Sequence, residues 1–237
     1  MNKEEFIKEV KKLGITINED NLNKLEIYKE FLKEYNSHTN LTAIKNEEDI
    51  YLKHFYDSLT IAKVIDLSTK DSLLDIGTGA GFPGMVLKIF YPNLKVTLLD
   101  SNNKKTKFLS LLKEKLNLEV AIINDRAENY AKNNLNSFDV VTSRAVANLR
   151  VLTELCIPFV KKEGLFIPLK GNVEEELKEA KDTIEILNSE LIQKETFNLY
   201  ENDNLRNILV IKKLQETNKD NLRSYDKIVK KPLVKKN

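Results

Sequence analysis

The stretch Asp75–Gly84, which reads DIGTGAGFPG, decides the fold of this chain. A short apolar run at 72–74 leads into it as a strand. An apolar helix follows, with Pro83 as its expected first residue, where a missing N–H costs nothing. Between them stand three glycines at every second position: Gly77, Gly79 and Gly81. This order places bare backbone beside unpaired N–H donors and predicts the site of a nucleotide-like cofactor in an open α/β sheet.

Strand and helix patterns alternate along the chain from residue 71, whereas 1–66 has apolar side chains at helical spacing. The predicted strands are 72–76, 94–99, 118–123, 138–143, 164–169, 190–199 and 207–213. The predicted helices of this part are 82–91, 102–116, 127–134, 147–160 and 173–188. Because no helix separates the last two strands, they should pair antiparallel. The sequence therefore predicts an α/β fold, a mainly parallel seven-stranded sheet with one antiparallel strand, preceded by an N-terminal helical segment.

Composition and charge restrict the class of protein further. The 237 residues carry a net charge of only +2, and 31% of them are charged, which is typical of a globular chain. We divide the chain into a helical extension (1–66), a cofactor-binding domain (67–214) and a basic tail (215–237). From Lys212 onward there are nine Lys or Arg and three Asp or Glu. Such a tail favours a phosphate-backbone partner, and the alternative is a frayed, solvated terminus.

The single cysteine, Cys156, lies on an apolar helix face and is interpreted as a core residue. One cysteine allows no disulfide within the chain, which fits a reducing compartment. The N-terminus has no signal-peptide pattern, and no apolar run approaches the ~18 residues of a membrane span. We expect a cytoplasmic protein, a monomer, without a membrane segment.

Polar residues follow the next two predicted strands at the same edge of the sheet. Asp100 comes 23 residues after Gly77, where a carboxylate accepts the ribose hydroxyls of an adenosine, and the segment 125–128 (DRAE) edges the adenine pocket. Each of the three features has a structural alternative. The glycines can serve only to make a tight turn, Asp100 can help to cap the following helix, and Asp125 and Glu128 can form a capping box. The convergence of three strand ends favours a cofactor site.

The spacing of the turn discriminates between cofactors. Phe82 stands where a dinucleotide fingerprint has its third glycine, which packs closely beneath a pyrophosphate. S-adenosylmethionine has no phosphate, and its cationic end suits a turn beside the negative charge of Asp75. The sequence therefore favours S-adenosylmethionine over NAD.

Seven runs of the sequence closely resemble one family, the bacterial small-subunit ribosomal RNA guanine-N7 methyltransferases, known as RsmG or glucose-inhibited division protein B. They are NLTAI (40–44), KHFYDSL (53–59), DIGTGAGFPG (75–84), VTLLDSNNKKTKFL (96–109), DRAE (125–128), FDVVTSRAVANL (138–149) and LKG (169–171). The resemblance implies a Rossmann-like class I methyltransferase that uses S-adenosylmethionine. It also implies transfer to N7 of one guanine in 16S rRNA near the decoding centre, on free rRNA or the small ribosomal subunit.

The resemblance also implies where the cofactor binds. The family pattern falls on these residues: Gly77, Phe82, Asp100, Ala127, Glu128 and Arg144. We add three neighbours in the same segments as cofactor-binding candidates: Gly79, Ser101 and Asn102.

Methylation at N7 makes a particular chemical demand. The ring nitrogen already has a free lone pair, so the enzyme needs alignment and charge placement more than a general base. The segment 142–145 (TSRA) lacks the Asp/Asn-Pro-Pro-aromatic run of adenine amino methylation and the Pro-Cys nucleophile of carbon methylation. Arg144 is expected to hold the guanine or a phosphate, and the alternative is a structural ion pair. Arg126 shares this ambiguity, and Asn40 lies in a loop that can close over the target base.

Lysines are the candidates for RNA contact. Lys104 and Lys105, with Lys107, crowd the first turn of a helix, where the macrodipole disfavours cations, so they are assigned to the rRNA backbone; a solvated basic turn is the alternative. Lys170 is a third RNA-contact candidate. No metal site is expected, because the two histidines are isolated, and His54 and Asp57 are expected to orient each other or a loop.

Two rival functions remain at this point. One is a class I methyltransferase with a protein or small-molecule substrate, against which the NLTAI and TSRA segments argue. The other is a non-catalytic ribosome-assembly factor, which would not need Gly77, Asp100 and Arg144 intact.

Overall fold

A seven-stranded sheet in the order β3-β2-β1-β4-β5-β7-β6 forms the centre of the computed structural model. The model describes residues 1–39, 41–44, 46–144, 147–200 and 204–235. The strands are β1 Ser72–Ile76, β2 Lys95–Asp100, β3 Ala121–Asn124, β4 Phe138–Arg144, β5 Val160–Lys170, β6 Ser189–Asn198 and β7 Leu205–Lys213. Among the described strands, β7 runs antiparallel to its two neighbours, β5 and β6, and the other neighbouring strands pair in parallel. The predicted α/β fold with one antiparallel strand is confirmed.

Six α-helices accompany the strands in the described part after residue 71. They are α5 Gly84–Phe90, α6 Asn103–Lys115, α7 Ala127–Tyr130, α8 Leu149–Cys156, α9 Glu174–Ile186 and α10 Tyr225–Lys230. The helix predicted over 147–160 ends earlier, as a 3-10 turn at Ile157–Phe159, because Pro158 has no N–H to continue an α-helix. The strand predicted over 164–169 begins four residues earlier, at Val160, which pairs with Phe138 across an irregularity in register.

The position of Pro83 differs from the prediction. Pro83 is the residue that precedes α5, and the helix begins at Gly84. The reason is local: the Gly84 N–H donates to the Asp75 carboxylate (2.8 Å), so the chain turns into the helix at that residue.

The N-terminal segment covers one face of the sheet with helices. These are α1 Lys3–Lys12, α2 Glu19–Thr39, α3 Glu47–Asp49, a π-helical stretch Ile50–Tyr56, α4 Asp57–Leu59 and a 3-10 turn Thr60–Lys63. One hydrophobic cluster contains Phe6, Tyr28 and Phe55 of these helices together with Leu98 and Val140 of the sheet. None of the described helices is long and apolar enough to cross a bilayer.

The other face of the sheet packs against α8 and α9. Leu152 and Cys156 of α8 belong to one buried cluster with Ala180 and Ile184 of α9, so the predicted core position of Cys156 is confirmed. The alternative of a frayed tail does not hold for the described residues of the tail. Ile228 of α10 is only 2% exposed, because it packs against Val151 and Leu155 of α8. The hydroxyl of Thr183 on α9 donates to the Leu233 carbonyl.

Candidate active site

The glycine turn after β1 has the backbone conformation that its residues predict. Gly77, Gly79 and Gly81 all have positive φ, at +67°, +62° and +103°. At Gly81 a Cβ would lie 2.5 Å from the Tyr28 hydroxyl, which donates to the Ala80 carbonyl. Glycine is required there because an N-terminal helix touches the turn.

Five of the six N–H groups at 77–82 are not free, which corrects the prediction of unpaired donors for most of this turn. The N–H groups of Gly77 (2.8 Å) and Thr78 (3.2 Å) donate to the Leu99 carbonyl, and that of Gly79 donates to Asp100 Oδ2 (2.9 Å). The N–H groups of Gly81 (2.9 Å) and Phe82 (3.0 Å) donate to the Thr78 carbonyl. A pyrophosphate would have to displace these acceptors. A cofactor with a cationic end, such as S-adenosylmethionine, has no such requirement.

Asp75 holds the turn against α5 and is not presented to a ligand as predicted. Its Oδ2 accepts hydrogen bonds from the Thr78 hydroxyl (2.7 Å) and the Gly84 N–H. The carboxyl is fully buried, and burial raises its pKa to about 6 against the opposing effect of these hydrogen bonds. A Cβ on Gly84 would lie 2.4 Å from Leu98 Cδ2, so Gly84 provides the close contact between helix and strand. The glycine pattern of the sequence did not indicate this second requirement, at Gly84.

A cleft of about 450 Å³ opens at the carboxyl ends of β1, β2 and β3. Its volume lies in the usual range for small-molecule sites. The predicted residues that line it are Gly77, Asp100, Ser101, Lys105, Arg126, Ala127 and Glu128. We call it the cofactor cleft. The structure thus brings the three predicted strand ends together.

Asp100 ties the end of β2 to the glycine turn. Its Oδ2 accepts from the Gly79 N–H and its Oδ1 from the Asn102 N–H, both at 2.9 Å. The helix cap itself is Asn102, whose side chain accepts from the Lys104 N–H. Asp100 assists this helix start through the Asn102 N–H, as its structural alternative predicted, and also lines the cofactor cleft. Each Asp100 oxygen has a second lone pair, which leaves the carboxylate able to accept ribose hydroxyls. The Lys105 ammonium lies 3.8 Å from it, at the cofactor cleft, whereas Lys104 is exposed.

The capping box proposed as an alternative for Asp125 and Glu128 does not form. Asp125 Oδ1 accepts from the N–H of its neighbour Arg126 (2.7 Å), and Glu128 pairs with the Arg126 guanidinium. That guanidinium lies over the ring of Tyr225, 4.8 Å from its centroid. Arg126 therefore forms one side of the cofactor cleft, with its side chain 52% exposed.

A second cleft, of about 430 Å³, lies at the carboxyl ends of β4 and β5 and the start of β7. Arg144 is fixed at this cleft by three N-terminal groups: the Lys53 carbonyl (2.7 Å), Asp57 Oδ2 (2.9 Å) and His54 Nδ1 (3.2 Å). The structural ion pair that was the alternative for Arg144 does exist. It holds the planar guanidinium in one orientation at the rim of the sheet. We call this opening the acceptor cleft.

Asp57 is shared by a second arginine that the sequence analysis missed. Arg206 Nε donates to Asp57 Oδ1 at 2.9 Å, although the two residues are 149 positions apart. No motif marks Arg206, which is the second residue of β7. With Arg144, Arg206 and Lys170 in its lining, the acceptor cleft carries several cations.

His54 is a neutral hydrogen-bonding residue. Burial, reinforced by the charge of Arg144, lowers its pKa to about 3. Because Nδ1 faces a guanidinium donor, the ring proton is assigned to Nε2, which lies 3.0 Å from the Thr42 hydroxyl. The expected link between His54 and Asp57 is thus indirect, through Arg144, and His54 also holds the loop at 41–44.

The remaining predicted site residues lie in different parts of the structure. Phe82 is buried and stacks on His54 (4.2 Å between centroids) and on Tyr28 (5.2 Å), so it supports the turn from beneath Arg144. Lys170 lines the acceptor cleft, where it donates to the Ala147 carbonyl and pairs with Glu176, both at 2.7 Å. A Cβ on Gly79 would have the Gly77 carbonyl as its nearest neighbour, at 4.0 Å. Asn40 lies outside the described residues.

The cofactor cleft fits S-adenosylmethionine. A carboxylate with spare lone pairs, Asp100, lies beside a turn in which five of six N–H groups already have acceptors. The apolar side chains of Ile76 and Leu99 line the same opening. Such a site offers oxygen acceptors and apolar surface to an adenosine with a cationic tail. A polyphosphate would find few free donors there.

Comparison with known proteins agrees with this geometry. Residues 21–208 match the family described as rRNA small subunit methyltransferase G (GidB). The chain is 46% identical over 235 residues to the methyltransferase G of Lachnoclostridium phytofermentans, covering 98% of this chain and 97% of that protein. It is 44% identical over 223 residues to that of Bacillus subtilis, covering 92% and 93%.

Solved structures resemble the fold alone. An S-adenosylmethionine-dependent O-methyltransferase from Thermotoga maritima has a TM-score of 0.53 at 17% identity, covering 79% of this chain and 72% of that one. A precorrin-6y C5,15-methyltransferase from Geobacter metallireducens has a TM-score of 0.53 at 17% identity, covering 74% and 91%. The fold is that of the class I methyltransferases, as predicted. Because the sequence match extends over nearly the whole chain at this identity, the chain belongs to the rRNA small subunit methyltransferase G family of S-adenosylmethionine-dependent enzymes.

Proposed function

We propose that this chain transfers the methyl group of S-adenosylmethionine to N7 of a guanine in 16S rRNA, as a cytoplasmic monomer acting on the small ribosomal subunit or its RNA. The relatives' names specify small-subunit rRNA. The observation that carries the proposal is Arg144, which is held by three hydrogen bonds in the acceptor cleft. This cleft adjoins the cofactor cleft, because β1 and β4 are neighbouring strands.

The cofactor cleft holds the methyl donor in this proposal. When bound, S-adenosylmethionine supplies an electrophilic methyl carbon. Asp100 accepts the ribose hydroxyls, and the segment at Arg126 and Ala127 borders the adenine. Ser143 fixes the distance between the two clefts, because its hydroxyl donates to the Ile76 carbonyl at 2.7 Å and so ties the end of β4 to the end of β1.

The acceptor cleft is suited to a nucleophile that needs no deprotonation. Its carboxylates are already paired, Asp57 with two guanidiniums and Glu176 with Lys170. His54 is neutral and engaged on both ring nitrogens. Among the described residues that line this cleft, no carboxylate or imidazole is therefore free to remove a proton. Guanine N7 attacks through a lone pair that is already available, so orientation by Arg144 is sufficient.

Charge in the acceptor cleft also favours an RNA substrate. The side chains of Arg144, Arg206 and Lys170 meet at the ends of three adjacent strands. Guanidinium groups bind phosphate and the O6/N7 edge of guanine through two parallel donors. An amino-acid or small apolar substrate would leave these cations without a partner.

The test is transfer of a labelled methyl group from S-adenosylmethionine to small subunits that lack the modification. The labelled nucleotide is mapped through the sensitivity of N7-methylguanine to base-induced strand scission. We expect label on one guanine, and no label with the Asp100→Ala variant, which should lose cofactor binding. Label on a protein, on another atom of the RNA or on many guanines would refute the proposal. Binding of subunits without any transfer would favour an assembly factor.

A further inference from the structure

The C-terminal tail reaches the cofactor cleft. Tyr225, the first residue of α10, lines that cleft together with Arg126 and Leu155. We propose that α10 forms a wall of the cofactor cleft and that Tyr225 is a cofactor-binding residue whose ring packs on the adenine of S-adenosylmethionine. The inference rests on the cofactor part of the proposed function and is independent of the methyl acceptor.

The position of the ring identifies the part of the cofactor that it meets. Tyr225 packs under the Arg126 guanidinium, 4.8 Å from its charged carbon, directly after β3. Asp100, at the end of β2, is the ribose acceptor in this cleft, so the β3 side is the adenine side. Tyr225 is 37% exposed, which leaves part of the ring available to a ligand. A planar aromatic ring is the type of side chain on which a base stacks.

The tail is anchored to α8 by a small apolar contact. Ile228, 2% exposed, packs against Val151 and Leu155 of α8. The Arg150 guanidinium on the same helix donates to the Ile228 carbonyl at 3.1 Å. Because Leu155 also lines the cofactor cleft, this contact positions α10 and the cleft wall together.

A second anchor orders the approach to α10. Arg223 pairs with the nearly buried Glu154 of α8 at 3.2 Å. The same guanidinium donates to the Lys227 carbonyl at the end of the helix. Apolar packing and an ion pair thus hold α10 on both sides of Tyr225. A flexible basic arm would need neither, so the tail has a structural task at the cofactor cleft.

The chain contains no tryptophan, which allows a direct test. In a Tyr225→Trp variant the indole is the sole tryptophan fluorophore, and stacking on adenine should change its emission. We expect a saturable change on adding S-adenosylmethionine or S-adenosylhomocysteine, and none with methionine, which lacks the base. The matched control is Val234→Trp, because Val234 is 61% exposed in the same tail, beyond α10. Its emission should not respond.

Calorimetry of S-adenosylmethionine binding without RNA completes the test. Tyr225→Ala is expected to weaken binding about tenfold, the effect of losing one base-stacking contact, and Tyr225→Phe should restore it. Ile228→Ser should weaken binding similarly by releasing α10. Equal affinity of the wild type and Tyr225→Ala, or an indole response in the control alone, would overturn the inference. Failure of the wild type to bind S-adenosylmethionine at all would instead overturn the cofactor assignment, and this inference with it.

Discussion

Replacing Arg144 with alanine separates the chemical role of this residue from its structural role. The substitution removes donors to the Lys53 carbonyl, Asp57 and His54. Asp57, however, keeps Arg206 at 2.9 Å, so no buried carboxylate is left without a cation. We therefore expect a loss of about 2 kcal/mol in unfolding free energy, the net value of a few charge-assisted hydrogen bonds. For a chain of this size that corresponds to about 4–8 °C in Tm.

The effect on catalysis should be much larger. Loss of one fixed donor at the reacting centre typically lowers the rate about 100- to 1,000-fold. The assay is single-turnover methyl transfer with saturating S-adenosylmethionine, at a temperature where calorimetry shows the variant to be folded. Cofactor affinity should change little, because Arg144 lines the acceptor cleft and not the cofactor cleft, to which the family resemblance had assigned it.

Two further variants serve as controls for the effect of Arg144→Ala on stability and turnover. Asp57→Asn removes the buried carboxylate that two partly exposed guanidiniums share, so it should cost more stability than Arg144→Ala, about 3 kcal/mol. Lys161→Ala removes a cation from Asp139, which keeps Ser72 as a partner at the opposite end of the sheet, and should leave turnover unchanged. If Arg144→Ala retained wild-type turnover, or lost activity only in proportion to its unfolded fraction, a purely structural role would be the correct interpretation.

Two further predictions concern packing and pH. Gly84→Ala should lower the free energy of unfolding in urea by about 1–3 kcal/mol, because its Cβ would meet Leu98 at 2.4 Å and Asp75 at 2.9 Å. Gly171→Ala, whose Cβ has no contact closer than 3.9 Å, should cost far less, and equal losses would refute the packing argument. Burial and the charge of Arg144 lower the His54 pKa from 6.5 to about 3. Below pH 6.5 the imidazole is therefore protonated in the unfolded chain and neutral in the folded one, so the free energy of unfolding decreases as the pH is lowered. Relative to His54→Gln, the wild type should lose about 2 kcal/mol of unfolding free energy between pH 6.5 and 5. The raised Asp75 pKa affects the wild type and the variant alike. If the difference in unfolding free energy between the two proteins stayed constant over this pH range, the lowered His54 pKa would be refuted.

The sheet and the cofactor cleft were predictable because the patterns that specify them lie within short stretches of the sequence. Alternating periodicity places the strands, and parallel strands bring their carboxyl ends to one edge. Gly77, Asp100 and Ala127 therefore converge without any knowledge of how the helices pack. The functions assigned to these residues stay predictions, while their common position follows from strand order alone.

The acceptor cleft was only partly predictable, because it depends on contacts between distant segments. Arg206 reaches Asp57 only because β7 runs antiparallel beside β5, and no spacing in the sequence expresses that pairing. The satisfied N–H groups of the turn were missed for a similar reason. Their acceptors include the Leu99 carbonyl and Asp100, which belong to the neighbouring strand β2. Tyr225 was missed because a basic tail has no periodicity that predicts docking.

In the proposed function the N-terminal helices belong to the catalytic site, because they hold the arginine at its centre. They provide the Lys53 carbonyl, His54 and Asp57, which orient Arg144. The same helices reach the glycine turn, because Phe82 stacks on His54 at 4.2 Å. The turn of the cofactor cleft and the arginine of the acceptor cleft thus rest on one shared aromatic contact. A displacement of the turn would move His54 and release one of the groups that fix Arg144, so both clefts depend on the same packed helices for their alignment.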